Sequence, residues 1–213
     1  MDSAHGDSIV EPIEPIIDLF FQLTEAQLKK QYPLPEAERI NTSFQLVFQR
    51  LLAKYSDNSN ILKNDAINPI FLIALHESQQ LTHDELVEQM LAIYREMLTE
   101  ILLSQAIMLS TSEDPWRTFV ETTKATNKEL YENDFFRCKT VIDQEQEFGF
   151  DIHRCVYFEV FKEEGYLELA PLLCQYDFIL AESISDWVEF QRDETIAEGF
   201  NRCTFRYFKK SSG

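Results

Sequence analysis

Cys174 lies three residues before Asp177, and this spacing is the first in the chain that suggests chemistry. On a helix, residues three positions apart share a face, which would place a thiol beside a candidate general base. A thiol attacks carbon only as thiolate, so its pKa must be lowered by a cation, a helix N-terminus or a metal. The alternative interpretation is that Cys174 is a small, inert residue of the core.

Cys155 and Cys203 allow the same two interpretations. No CxxC pair is present, and we expect free thiols because disulfides are rare in reducing compartments. His153 precedes Cys155 by two residues, so on a strand the two would share a face and His153 would serve as acid or base, or else as a packing residue. Together with Cys174 these residues would bind zinc if they met in the fold, but their spacing matches no standard zinc signature. We therefore predict no metal.

Arg192, Thr195 and Gly199 form a second group of candidates for binding a substrate. The guanidinium fork of Arg192 matches a carboxylate with two hydrogen bonds, although it would equally pair with a surface acid. Thr195 has a hydroxyl to donate, and Gly199 permits close backbone approach or a positive φ angle. Both residues are also common in turns.

These residues belong to one ordered set of motifs along the last third of the chain. The set consists of His153-Arg-Cys155, Gly165, Leu169-Ala-Pro-Leu-Leu-Cys174, Asp177, Phe190-Gln-Arg192, Thr195, Gly199 and Cys203-Thr-Phe205. It resembles the L-2-amino-thiazoline-4-carboxylic acid hydrolase family over roughly residues 134 to 210. The resemblance implies a small-molecule enzyme that opens a cyclic amidine by hydrolysis, to a carbamoyl-cysteine product, without a cofactor.

The resemblance also implies roles for individual residues. Catalysis would fall to Cys174, Asp177, Cys155 and Cys203, and substrate binding to Arg192, Thr195, Gly199 and His153. Asp177 would activate water or a thiol, and Arg192 would hold a substrate carboxylate. Cys138 lies outside the pattern and is expected to be structural.

Two positions depart from the family pattern, which usually has an acid after the glycine and another after the last cysteine. This chain has Phe200 and Thr204 there. The replacements favour a less charged pocket and a larger or more apolar substrate. They favour one alternative, a cyclase, isomerase or lyase of specialised metabolism on the same scaffold. A second alternative is a non-catalytic ligand-binding module, which is favoured if the three family cysteines are scattered in the core rather than gathered at a cavity.

The first part of the chain has the apolar spacing of helices, which we predict over most of residues 12–133. Pro12 and Pro15 would begin the first helix, and Thr82 with Glu85 forms a capping box. Asp114, followed by Pro115, would cap the start of the last helix of this part. The first predicted helix runs through Ile16, Leu19, Phe20 and Leu23 and is stopped by Pro33 and Pro35. The others are Glu36 to Tyr55, Pro69 to about Gln79, one from Thr82 that reaches Ser110, and one after Asp114.

Residues 134–210 alternate at period two in four places, typical of strands. They also contain a helix at 156–164 ended by Gly165 and a short helical piece at 167–176, after which we expect extended chain. The predicted strands cover residues 136–142, 148–152, 187–192 and 203–208. We predict one α+β domain over residues 12–210, with a helical N-terminal part, a small antiparallel sheet and a disordered lead at residues 1–11.

Charge and hydropathy exclude some classes of protein. The chain has 213 residues, with 19 Lys and Arg against 37 Asp and Glu, giving a net charge of −18. A nucleic acid would be repelled by this charge. No secretory signal and no apolar run long enough for a membrane span are present, so we expect a soluble, cytoplasmic protein whose partner is a small-molecule substrate.

Overall fold

The structure, a computed structural model, describes residues 14–55 and 60–210, without the side chains of residues 60–63 and 110. The predicted lead at residues 1–11 therefore lies outside the described residues. The N-terminal part is helical, as predicted. Its helices are α1 (Glu14–Gln31), α2 (Leu34–Lys54), α3 (Asn60–Ser78), α4 (His83–Ser110) and α5 (Pro115–Leu130).

The C-terminal part joins a four-stranded sheet to three short helices. The strands pair in the order β1-β2-β4-β3, and every neighbouring pair is antiparallel. The predicted α+β fold class is thereby confirmed. The elements are β1 (Cys138–Asp143), β2 (Glu147–Ile152), α6 (Val156–Glu164), α7 (Ala170–Leu173), α8 (Asp177–Glu182), β3 (Val188–Gln191) and β4 (Cys203–Lys209).

Capping and helical period account for most of the N-terminal helices. Thr82 and Glu85 form the predicted capping box at the start of α4, and the Asp114 side chain accepts a hydrogen bond from the backbone of Arg117 at the start of α5. These contacts satisfy backbone N–H groups that have no partner within the helix. The predicted α4 boundary at Ser110 is also confirmed.

α3 corrects the prediction that a helix begins at Pro69. The helix begins at Asn60, and Pro69 lies inside it. Every side chain from Ile70 to Leu75 is fully buried, and α3 packs against α2 and α6. This burial on all sides of the helix stabilises α3 beyond what its local sequence indicates, so a proline in its interior is tolerated.

Two local corrections concern the segments around the candidate site. β2 ends at Ile152, and Cys155 is the N-cap of α6 rather than a strand residue, so the premise that His153 and Cys155 share a strand face is wrong. The chain also continues as α8 where we predicted extended structure. The helical conformation thus runs from Ala170 through Glu182 in short turns.

The aromatic face of the sheet packs against α5. The rings of Phe150 and Phe205 stack with centroids 4.6 Å apart, and Phe119 of α5 meets Tyr207 at 5.1 Å. Gly149 lies on β2 where a Cβ atom would come within 2.9 Å of the Arg206 side chain, so a larger residue there would force that side chain or the strand to shift. No helix among the described residues is long and apolar enough to cross a membrane.

Candidate active site

A small cavity of about 50 Å³ brings the candidate catalytic residues together. Its wall includes Cys155, Cys174, Cys203, Asp177 and Arg192. These side chains come from four separate segments: the start of α6, the turns leading into α8, the start of β4 and the end of β3. The fold therefore gathers residues that are up to 48 positions apart, from Cys155 to Cys203.

Arg192 is paired with Asp177 inside the protein. Its Nη1 donates to Oδ2 of Asp177, and its Nη2 donates to the backbone oxygen of Cys174 at 2.8 Å. The guanidinium lies 4.9 Å from the ring centre of Phe178 and 5.8 Å from that of Phe205. Only 4% of the Arg192 side chain is exposed, against 21% for Asp177. Both terminal nitrogens of Arg192 thus already have partners within the chain.

The Asp177 carboxyl group titrates near neutral pH. Burial raises its pKa to about 6, and the charge and hydrogen bond of Arg192 act in the opposite direction. Removing a carboxylate from water penalises its charged form, and here this penalty outweighs the attraction of the cation. A carboxyl group with such a pKa can both accept and return a proton near neutral pH.

The three thiols of the cavity are protonated at neutral pH. Burial raises the pKa of Cys155 to about 12, and it raises the pKa of Cys174 still further, with the charge of Asp177 adding to the effect. Burial likewise raises the pKa of Cys203. This environment is the opposite of the one that a nucleophilic thiolate requires.

A larger cavity of about 380 Å³ adjoins the small one. It lies between α4, α5, α8 and the aromatic face of the sheet. Tyr176, Asp177 and Phe205 contribute to the walls of both cavities. Asp177 is therefore the ionisable carboxyl group that a molecule in the larger cavity would meet.

Thr195 and Gly199 shape the turn that leads into β4. The Thr195 hydroxyl accepts from the backbone of Glu198 at 3.2 Å and donates to its carboxylate at 2.8 Å. Gly199 has a φ angle of 94°, which a residue with a Cβ atom rarely adopts. Cys203 joins this turn through its sulfur, which accepts from the backbone of Ile196 at 3.3 Å. Neither Thr195 nor Gly199 lines either cavity.

Three further residues named from the sequence also lie outside both cavities. His153 is exposed just after β2. Phe200 is 48% exposed, whereas Thr204 is buried and its hydroxyl accepts from the backbone of Glu194 at 3.2 Å. The low charge of the larger cavity is therefore due to its own walls, not to the replacements at Phe200 and Thr204.

Sequence reasoning missed Asn127, which lines the larger cavity. Asn127 is only 2% exposed, and its Nδ2 has no hydrogen-bond partner among the described residues. The sequence does contain an indication of this role. Asn127 is the polar residue on the buried face of α5, which otherwise consists of Trp116, Phe119 and Val120. A buried polar group on an otherwise apolar helix face needs a hydrogen-bond partner, so an Asn at such a position is a candidate for contact with a ligand.

The described residues contain no group of three or more His, Cys, Asp or Glu side chains arranged to hold a metal ion. The zinc interpretation of Cys155, Cys174, Cys203 and His153 therefore has no ligand set in this part of the chain.

Comparison with known proteins extends the resemblance beyond the motif region. No curated protein and no solved structure matches the chain. The model of one family, L-2-amino-thiazoline-4-carboxylic acid hydrolase, matches residues 68–207, from within α3 to within β4. This match covers more than half of the 213 residues and includes every residue of the two cavities. The chain belongs to the L-2-amino-thiazoline-4-carboxylic acid hydrolase family.

Proposed function

We propose that the protein is a hydrolase that opens a cyclic amidine or a related heterocycle by breaking a C–N or C–S bond, with Asp177 as the acid–base group. The observation that carries this proposal is the position of Asp177, which borders both cavities and has a pKa raised to about 6 by burial. The family of the chain supports the hydrolytic reaction class.

The proposed reaction uses one molecule of water. The Asp177 carboxylate accepts a proton as the water oxygen bonds to the amidine carbon. The second proton of the water passes to the ring nitrogen, which receives the electron pair of the amidine C=N bond. The ring bond from that carbon to nitrogen or sulfur then breaks, a carbonyl group forms at the carbon, and Asp177 returns the first proton to the departing atom. The carboxyl group ends in its starting state, and the product carries the oxygen of water.

Arg192 acts as a positioning residue in this proposal. Its two terminal nitrogens hold the Asp177 carboxylate and the backbone oxygen of Cys174, so neither is free to clamp a substrate carboxylate. The cation also opposes the effect of burial on Asp177, which keeps a useful fraction of the carboxyl group ionised near neutral pH.

Water, rather than Cys174, is the nucleophile in the proposed mechanism. The pKa of the Cys174 thiol is raised by burial and by Asp177, so thiolate is scarce at neutral pH. The three thiols line the small cavity together with Asp177. Each offers it a weak S–H donor.

The convergence of Cys174, Asp177 and Arg192 on one cavity supports an enzyme over a non-catalytic ligand-binding module. The same proton transfer at Asp177 would also serve an isomerase or a lyase. Ring opening in water labelled with heavy oxygen separates these reactions, because only hydrolysis places the label in the product.

The test is turnover of L-2-amino-thiazoline-4-carboxylate and of its N-benzyl amide by the intact chain and three variants. We expect Asp177→Asn to lose about 10²–10⁴-fold in kcat/KM. Asp65→Asn is the matched control, because burial also raises the pKa of Asp65 to about 6 but this residue lies outside both cavities. It should retain full activity, and Cys174→Ala should retain most of it.

Three results would contradict the proposal. Full activity of folded Asp177→Asn would remove this residue from the mechanism. Complete loss of activity in folded Cys174→Ala would make the thiol the nucleophile. Absence of ring opening of both compounds by the folded intact chain would refute the hydrolytic function.

A further inference from the structure

We propose that the larger cavity selects a cyclic amidine with a bulky apolar body and no free carboxylate, and that Asn127 Nδ2 donates a hydrogen bond to an acceptor on that body. This inference rests on the proposed function, because it takes Asp177 as the group that meets the amidine. It names a substrate class different from the cysteine-derived amino acid for which the family is named.

The size of the cavity favours a substrate larger than an amino acid. Its volume of about 380 Å³ equals roughly a dozen water molecules at about 30 Å³ each. Cavities of this size typically hold ligands of drug-like dimensions. An amino-thiazoline ring with its carboxylate would leave much of the apolar wall in contact with water.

The charges around the cavity disfavour an anion. No Lys, Arg or His lines the larger cavity among the residues that the structure describes, and Asp177 is its only acidic residue. Tyr131, another wall residue, stays uncharged because burial raises its pKa to about 12. A substrate carboxylate would find no cation in the walls of this cavity, because Arg192 lines the small cavity and both of its terminal nitrogens are already bonded. A protonated amidine, in contrast, would be attracted to the Asp177 carboxylate.

The aromatic walls suit a planar apolar group. Phe150 and Phe205 stack with their ring centres 4.6 Å apart, and both line the cavity. The ring centres of Phe119, on α5, and Tyr207, on β4, are 5.1 Å apart, and both rings also line the cavity. Ring edges and faces at these spacings can take a further ring by stacking or by edge-to-face contact.

Asn127 is the wall residue of the larger cavity whose buried side-chain donor, Nδ2, has no partner among the described residues. It is 2% exposed. The neighbouring Thr123 hydroxyl already donates to the backbone oxygen of Phe119 at 2.8 Å. A buried donor without a partner is costly, so a ligand that brings an acceptor to Asn127 relieves that penalty on binding.

The experiment compares two probes by calorimetry: 2-amino-thiazoline-4-carboxylate and its N-benzyl amide, which replaces the carboxylate with a neutral carbonyl acceptor and an apolar ring. We expect the amide to bind about tenfold more tightly or better. Asn127→Ala and Asn127→Leu should each lose about tenfold in affinity for the amide, because both lack the amide donor. Asn201→Leu, at an exposed position outside both cavities, is the matched control and should bind as the intact chain does.

Circular dichroism and thermal unfolding establish that each variant is folded before its affinity is compared. Tighter binding of the carboxylate than of the amide would overturn the inference. Unchanged affinity of both Asn127 variants for the amide would overturn it as well.

Binding is measured separately from ring opening, so the two proposals fail in different ways. The expected affinities without ring opening of either probe would refute the hydrolytic function and support the assignment of the cavity. Ring opening of the carboxylate without preference for the amide would support the function and overturn the substrate class.

Discussion

Replacing Asp177 with Asn should remove a pH-dependent loss of stability from the protein. The pKa of Asp177 is raised from 3.8 to about 6, chiefly by burial. Below its unfolded pKa the carboxyl group is neutral in both states, so burial carries no charge penalty. As the pH rises through the folded pKa, the buried group must ionise, and the folded state loses stability relative to the unfolded state.

The magnitude follows from the size of the pKa shift. The difference between 3.8 and about 6 is roughly two pKa units, and each unit corresponds to 1.36 kcal/mol. We compare the free energy of unfolding of the intact chain with that of Asp177→Asn at each pH. The difference, intact chain minus variant, should fall by about 3 kcal/mol as the pH rises from about 3 to about 7. Taking the difference cancels the titration of the many other acidic groups.

The assay is urea unfolding of both proteins across this pH range, followed by circular dichroism. Asp65→Asn provides a matched comparison, because burial also raises the pKa of Asp65 to about 6 and its Oδ2 lacks a hydrogen-bond partner among the described residues. It should show a decline of similar size.

The competing effect on Asp177 is the charge of Arg192. If that attraction outweighed burial, the pKa of Asp177 would lie below its ordinary value. The difference in unfolding free energy would then grow with pH instead of falling. A growing or constant difference for Asp177→Asn would refute the claim that burial dominates at this site.

Three further predictions test the site and the sheet. The kcat/KM of the intact chain should rise through about pH 6 and then level off as Asp177 ionises, and a pH–rate profile without this step would remove Asp177 as the base. Iodoacetamide should alkylate Cys174 more slowly in the folded protein than in the urea-unfolded protein at equal pH, as followed by mass spectrometry, and fast labelling of the folded form would show a reactive thiolate. Gly149→Ala should lower the free energy of unfolding by about 1–3 kcal/mol, since its Cβ would lie 2.9 Å from the Arg206 side chain, and an unchanged urea midpoint would show that the strands have room.

Much of the fold could be predicted because local rules and tertiary packing agree. The capping box at Thr82 and the left-handed Gly165 at the end of α6 both lie where the sequence predicts helix ends. Period-two alternation also located the four strands. α3 and α8 differ from prediction because their conformation depends on contacts with distant segments, which the local pattern does not contain.

Less of the candidate site could be predicted. The family pattern included the three cysteines, Asp177 and Arg192, and the structure brings all of these to one cavity. It also included His153, Thr195 and Gly199, which the structure places outside both cavities. An ordered motif contains residues that shape a turn as well as residues that face a ligand, and one sequence does not separate the two kinds.

The sequence by itself determined most of the helices, the caps at Thr82 and Asp114, the four strands and the family to which the chain belongs. Only the tertiary structure decided that Arg192 pairs with Asp177, that the thiols are protonated and that Asn127 lines a cavity. The reason is physical: the pKa of a side chain and the partners of a buried polar group depend on everything packed around them. Those neighbours come from segments that are far apart in the sequence.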